Sequence, residues 1–588
     1  MEKSSEERLH LIFFQFIDIY IKLTIIFGFN LKDCKEFQMD VNLNKPTGPC
    51  SNLSSIMTAN MDTLVNQTEE EKQLMLEERN TTDKVVASDD GIKENVVASP
   101  DEIIEDMGGC GRFQIRMSVV VHLIKTIFCF SFTNLMIFTS TTAWFCANSE
   151  MFTNSTSAHI GSPVCLKLNC IETCKSENGT KCESFVFSDK LKTVNGEFNL
   201  VCDRDFIPST ISSLQLAGSL AGNVISGHVA DQFGRKLPFF MSILLVLLFN
   251  FLGFFASAWQ MFAVCTFFTG LGYGVFTATQ YNILSEFTLA KWRTWIVGFP
   301  SWPIQQSIFA LCAWLVHDWR YMQLITALMA IPCLFAWLII PESFRWHIAR
   351  NDYMKAKQVI KTVAKFNGHE HDICIDKVFS RQEKFKKQTY TFVSLFKTLA
   401  MARVTILLIL NWIALGVVGY GIWFGIQALS GNIFLNLFLF SVTSIPSKTL
   451  GIFLCNKFGR RKTTILCFLI VTFAGTVIGL LHTVKHNFTF TDQMTNILAI
   501  IANTSISAAW SSVQTMTVEL YPTVIRNIGF GTLSFLGGIA AVIGPQLVYF
   551  NTWLPGLLFY VCGGISCICA VGTFFLPETM DKYLKDDI

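Results

Sequence analysis

Gly227-His-Val-Ala-Asp-Gln-Phe-Gly-Arg-Lys236 decides the fold of this 588-residue chain. It is a charged turn between the apolar runs 208–226 and 237–258, each near or beyond the length that crosses a bilayer. So short a connection returns two helices side by side, and Arg235 with Lys236 sets it on the cytoplasmic face, where basic loops are retained. Asn456-Lys-Phe-Gly-Arg-Arg-Lys462 repeats the turn far downstream, between two further apolar runs. Two more echoes keep the same order. Glu286 precedes Arg293 at the spacing with which Glu519 precedes Arg526, and Pro341-Glu-Ser returns as Pro577-Glu-Thr. One half of the chain therefore repeats the other. Parallel halves around a central site are the plan of a transporter.

Composition agrees. The chain is 51% hydrophobic and 15% charged, with apolar runs near 20 residues that buried strands of a soluble enzyme would not produce. Working outward from the turn, the first half spans about 117–138, 208–228, 237–257, 260–282, 296–316 and 320–340. The second half spans about 404–426, 432–454, 463–481, 494–516, 527–549 and 554–576. The expected fold is an all-α polytopic membrane protein of twelve helices in two six-helix halves, 108–341 and 403–577. A cytoplasmic inter-half loop covers 342–402, with a lysine-rich amphipathic pattern, and a cytoplasmic tail covers 578–588. Residues 1–107 form an N-terminal extension, polar and disordered over 31–107. Within it 10–30 is apolar but interrupted by Asp18 and Lys22, which suits an interfacial helix or a marginal extra span. Sequons at Asn52, Asn66 and Asn80 in this extension matter only if it is lumenal.

The loop 139–207 holds Cys146, Cys165, Cys170, Cys174, Cys182 and Cys202. An even set of cysteines in a hydrophilic loop reads as extracellular disulfides; no histidine cluster accompanies them, which disfavours zinc, and the pairing stays open. Sequons at Asn154, Asn178 and Asn487 fall outside by the same count, and both termini fall inside, in a plasma-membrane topology. The basic clusters have this topological explanation, so nucleic acid is not an expected partner; nor is a cofactor or metal expected.

Several residues stand out as motifs. Gly111-Arg-Phe-Gln114, Glu197-Phe-Asn-Leu-Val-Cys202, Asp231-x-x-Gly-Arg-Lys236, Pro341-Glu-Ser-x-Arg-Trp346 and Glu519-Leu-Tyr-Pro-Thr-Val-Ile-Arg526 resemble signatures of the organic cation, carnitine and organic anion transporters of the major facilitator superfamily. The resemblance runs from Gly108 to about Tyr583 and leaves out the first hundred residues. It implies alternating access to a central cavity.

Asp231, Arg235, Glu286, Arg293, Glu342, Arg345, Glu519 and Arg526 cluster at inner helix ends. Positive-inside topology accounts for the arginines but does not call for the acids, so a cytoplasmic gate of charge pairs is expected. Asn456 stands where the second half would carry an acid, making the gate asymmetric. For the cavity, amides and aromatics inside spans are the candidates: Trp302, Gln305 and Gln306; Asn411, Trp412, Tyr420, Trp423 and Gln427; Trp510 and Gln514. Such groups are costly in a bilayer unless they meet partners or water, and they suit a flat or amphipathic solute, although interhelical packing explains many equally well.

Lys448 lies in the eighth span after Ser444-Ile-Pro446. It either snorkels or attracts an anion. Its segment resembles the organic anion branch, and Ser444 stands where cation-carrying relatives tend to have an acid. By the same resemblance, Gly538 stands where family members often carry Arg, in the anion and carnitine branches, or Asp, in the cation branches; the missing Asp argues against a standard organic cation carrier and the missing Arg against an ordinary dicarboxylate exchanger. The expected function is transport of organic anions or of weakly anionic or zwitterionic metabolites, coupled to a counter-solute, a proton or a sodium ion. The alternatives are a neutral, vitamin-like or cationic solute such as riboflavin or carnitine, and a non-transporting receptor or scaffold. No Gly-Lys-Ser/Thr phosphate loop or nucleophile–base–acid set points to an ATPase or a membrane enzyme.

Overall fold

The computed structural model describes residues 100–142, 144–146, 174, 182, 185–187, 191–289, 292, 296, 299–369, 392–483, 489–522 and 525–579. The 10–30 segment, Arg293, Cys165, Cys170, Asn154, Asn178 and Asn487 lie outside them. In chain order the helices are α1 (Pro100–Asp106), α2 (Arg112–Phe138), α3 (Val194–Glu197), α4 (Ile207–Phe233), α5 (Lys236–Phe254), α6 (Trp259–Glu286), α7 (Ser301–Val316), α8 (Trp319–Leu334), α9 (Phe344–Ala349) and α10 (Tyr353–Asn367). The second half supplies α11 (Leu399–Phe424), α12 (Ile433–Phe458), α13 (Arg460–Thr483), α14 (Thr489–Leu520), α15 (Arg526–Ala541), α16 (Gly544–Trp553) and α17 (Leu557–Phe574). The membrane body is all-α as expected, and the cysteine-rich segment adds a two-stranded antiparallel sheet, β1 (Trp144–Cys146) against β2 (Phe185–Phe187).

Among the described residues nine helices are long and apolar enough to cross a membrane, fewer than the twelve expected. The spans expected at 208–228, 296–316 and 494–516 are helical but fall outside the nine. The fifth is α7, only 16 residues long. The other two, α4 and α14, carry many Ser, Thr, Asn and Gln residues among their apolar ones. The eleventh span is broken, because α15 ends at Ala541 and α16 restarts with Pro545 in its first turn.

Small residues set the closest packing. Gly218 and Gly222 on α4 face Gly270 and Gly274 on α6, and a Cβ on any of the four would collide with a backbone carbonyl of the opposite helix. Two small-xxx-small ridges thus meet backbone to backbone, which is how helices associate where lipid is as apolar as leucine. Elsewhere apolar side chains face outward: Leu244, Leu248 and Phe251 on α5, and Leu466, Leu469 and Phe473 on α13, are exposed in rows that suit lipid.

The two halves meet through α7 against α12 and through α15 and α16 against α4. Hydrogen bonds joining the halves sit toward the end that carries the cysteine-rich segment. Gln427 Nε2 donates to the Met136 carbonyl at 2.5 Å and to Thr139 Oγ1 at 3.2 Å. Ser213 Oγ donates to the Val542 carbonyl at 2.9 Å and accepts from Gln546 Nε2 at 3.1 Å. Cys174 and Cys202 form a disulfide, and Cys182 is disulfide-bonded too. Below them Glu197 accepts from Trp319 Nε1 at 2.7 Å and from Arg320 Nε at 2.8 Å, tying this outer segment to α8.

Candidate functional site

Both ends of the first hairpin turn are satisfied by the segment that leaves α8. The turn needs a left-handed residue, and Gly234 supplies it at φ 95°. The free N–H groups that open α5 then need acceptors. Glu342 provides them, accepting from Arg235 N at 2.8 Å and from Lys236 N at 3.1 Å. At the other side of the turn Arg350 and Trp346 donate to the last carbonyls of α4, at Asp231 and Gln232. The Arg235 guanidinium bridges Glu286 Oε1 at 3.2 Å and Asp231 Oδ1 at 3.0 Å, while Arg345 Nε donates to the Glu286 carbonyl at 3.2 Å. Five of the expected charged residues are thus brought together, all within the first half.

The second half rebuilds the centre of this cluster, a turn glycine, a capping glutamate and an arginine–glutamate pair. Gly459 turns at φ 96°, and Glu578 accepts from Arg460 N at 2.9 Å and Arg461 N at 3.3 Å. Arg460 sets Nε and Nη2 on Glu519 Oε1 at 3.2 and 3.0 Å. Thr579 donates to the other Glu519 oxygen. Without an acid at 456, the arginine commits both donors to one carboxylate. Arg526 instead reaches the Tyr521 carbonyl. Glu578 and Arg460 were not among the residues singled out, although the Pro-Glu echo marked the first and the basic turn the second.

Deeper in the bundle an aromatic cluster crosses the interface between the halves. Phe132 of α2 stacks on Trp423 of α11, with centroids 5.1 Å apart and planes at 15°, and meets Tyr420 edge-on. Trp302 of α7 lies 6.3 Å from Trp423 and 5.6 Å from Tyr273 of α6. Lys125 of α2 places Nζ over Trp302 at 5.9 Å. Lys448 of α12 is half-buried, like Lys125. In the sequence Lys125 is a charge inside the first expected span, 117–138, which also holds His122 and Asn134.

Other candidates go to packing. Asn411 donates to the Leu407 carbonyl and accepts from Thr573 Oγ1 at 2.8 Å, buried between α11 and α17. Trp412 donates to Thr517 Oγ1 at 3.0 Å and packs edge-on to Trp510. Gln305 donates to the His122 carbonyl. Gln427 belongs to the outer closure described above. Gln306 is buried beside Trp302's helix turn, and Gln514 is exposed, so neither joins the aromatic cluster by a described contact. Ser444 is also buried, accepting from Asn503 Nδ2 at 3.0 Å. At Gly538 a Cβ would lie 3.0 Å from Leu220 Cδ1 of α4. Among the described residues no group of His, Cys, Asp and Glu could hold a metal ion.

Comparison with known proteins gives a consistent picture. The model of the family described as sugar (and other) transporter matches residues 143–586. The mouse protein named solute carrier family 22 member 4 is 28% identical over 410 residues, covering 68% of this chain and 72% of that one. Human organic cation/carnitine transporter 2 is 28% identical, covering 68% and 71%, and a Drosophila melanogaster organic cation transporter protein is 29% identical, covering 70% and 77%. Two of these names are those of organic cation or carnitine carriers and none is that of an anion carrier, so they do not carry the expected placement in the anion branch. Among solved structures, the inward-open xylose transporter XylE from E. coli superposes with a TM-score of 0.56 at 15% identity, over 80% of this chain and 98% of that one. A D-xylose-proton symporter gives 0.53. At such identities the match establishes the fold.

Proposed function

Since the chain belongs to the sugar (and other) transporter family and is homologous to organic cation/carnitine carriers, we propose that it moves a carboxylate-bearing zwitterion of carnitine type across the plasma membrane by alternating access. The solute crosses without chemical conversion, between two six-helix halves. The observation that supports the charge class is a half-buried lysine inside an apolar span of each half, Lys125 and Lys448, with Lys125 Nζ over Trp302 of the aromatic cluster. A quaternary ammonium or flat apolar end suits Tyr420, Trp423 and Phe132, whose ring faces attract cations and exclude water. A carboxylate suits Lys448. No Asp or Glu lies in the middle of any described span, since the acids of these helices stand near their ends. A bare cation would therefore find no counter-charge in the bilayer interior, whereas a zwitterion brings its own.

The test is competition against labelled carnitine by a matched panel: the zwitterion, its ammonium analogue lacking the carboxylate, and a carboxylate lacking the ammonium. A charge-assisted hydrogen bond contributes about 1.5–3 kcal/mol. Lys448→Met is expected to weaken the two carboxylates by roughly ten- to a hundredfold and to leave the ammonium analogue unchanged. Equal competition by zwitterion and bare cation, unaffected by Lys448→Met, would overturn the reading.

A further inference from the structure

The aromatic cluster between the halves is built around one buried phenyl ring. Phe132, 1% exposed, receives Tyr273 at 5.3 Å and Trp302 at 6.1 Å from the first half. From the second half it receives Trp423 at 5.1 Å and Tyr420 at 6.2 Å. Each of these four residues is half-buried and carries one polar tip, a phenol hydroxyl or an indole N–H. Among the described residues none of the four tips meets a hydrogen-bond partner. Buried tyrosines and tryptophans usually find one, and others in this protein do. Trp412 donates to Thr517, Trp319 to Glu197 and Tyr521 to Thr405. The four unpartnered tips share one place, the junction of the two halves.

The set leans toward donation. An indole N–H only donates, a phenol hydroxyl donates or accepts, and the Lys125 ammonium over Trp302 only donates. The group that complements it is an oxygen with free lone pairs. A quaternary ammonium rests on ring faces and has no hydrogen to share, and the carboxylate is taken by a lysine. A hydroxyl matches the tyrosines in both directions, as acceptor and as donor. We propose that Tyr273 and Tyr420 recognise a hydroxyl on the chain that joins the solute's ammonium to its carboxylate, and so select the hydroxylated zwitterion over its deoxy analogue. The inference rests on the zwitterion proposed above and adds the substituent that the site reads. One tyrosine comes from each half, so the preference is set as the halves close on the solute.

The experiment uses the full chain reconstituted in proteoliposomes, with labelled carnitine, which carries such a hydroxyl, as the solute. Unlabelled carnitine and its deoxy analogue compete for entry, and the ratio of their inhibition constants is read. The wild type is expected to favour carnitine by about tenfold, the effect of one or two neutral hydrogen bonds. Tyr273→Phe and Tyr420→Phe keep their rings, and each is expected to narrow the ratio. The double variant is expected to bring it close to one, chiefly by weakening carnitine. Incorporated protein is quantified for each variant; should the double variant fail to incorporate, the two single variants read the same ratio. A wild-type ratio near one, or a preference that survives both substitutions, overturns the proposal. Failure of the underlying reading looks different and takes the proposal with it: labelled carnitine would show no saturable entry, or the ammonium analogue lacking the carboxylate would compete as well as carnitine.

Discussion

At the scale of single residues, Glu342 and Glu578 do the same work in the two halves. Each follows a proline at the end of a half's last span and reaches across to the opening N–H groups of another helix. Losing a helix N-cap costs about 0.5–2 kcal/mol, so Glu578→Gln is expected to lower the detergent-solubilised melting temperature while Thr579→Ala lowers it less. Unchanged melting in Glu578→Gln would remove the capping role. The arginine clusters separate two neighbouring acids. Asp231 is 77% exposed at its side chain and Glu286 is 17% exposed. An exposed pair contributes at most about 1 kcal/mol, whereas removing a partly buried partner leaves Arg235 under-compensated. Glu286→Gln is therefore expected to impair transport at equal surface abundance well beyond Asp231→Asn, and the reverse order would contradict the clusters as described. The Pro-Glu repeat was readable in sequence, but its role was not, because Glu342 acts on backbone donors more than a hundred residues away in the chain.

At the scale of elements, the hairpin turns and span order were legible because apolar length and basic loops obey bilayer physics. What composition alone did not separate was a lipid-facing helix from one lined by neighbours. Helices α4 and α14 hold polar side chains that bond to carbonyls or to adjacent helices, as Ser226 Oγ does to Val275 and Asn503 does to Phe440. The short helix α7 spans fewer residues than the run 296–316 suggested. The glycine ridges between α4 and α6 give a sharp prediction. Gly274→Val drives a branched side chain into the Ser219 backbone, so it is expected to abolish surface delivery, while Gly227→Ala, at a position where a Cβ meets nothing, is expected to leave it intact. Normal surface abundance of Gly274→Val would show that the two helices are not held backbone to backbone.

At the scale of the molecule, two homologous halves are joined toward the disulfide-bearing end and carry their charge clusters separately at the other. Opening the outer side requires the contacts of Ser213 and Gln427 to part. Joining Ser213→Cys to Gln546→Cys by oxidation is expected to arrest the carrier, with each single variant as its control for native cysteines and reductant restoring flux; unimpeded flux in the oxidised double variant would show that these contacts do not part during transport. The most direct test of the carrier itself is counterflow: proteoliposomes preloaded with unlabelled carnitine are placed in dilute labelled carnitine. A transient accumulation of label above its equilibrium level, saturable and abolished by the oxidised Ser213–Gln546 bridge, is the predicted result. Saturable binding with no entry of label into the vesicles would contradict it.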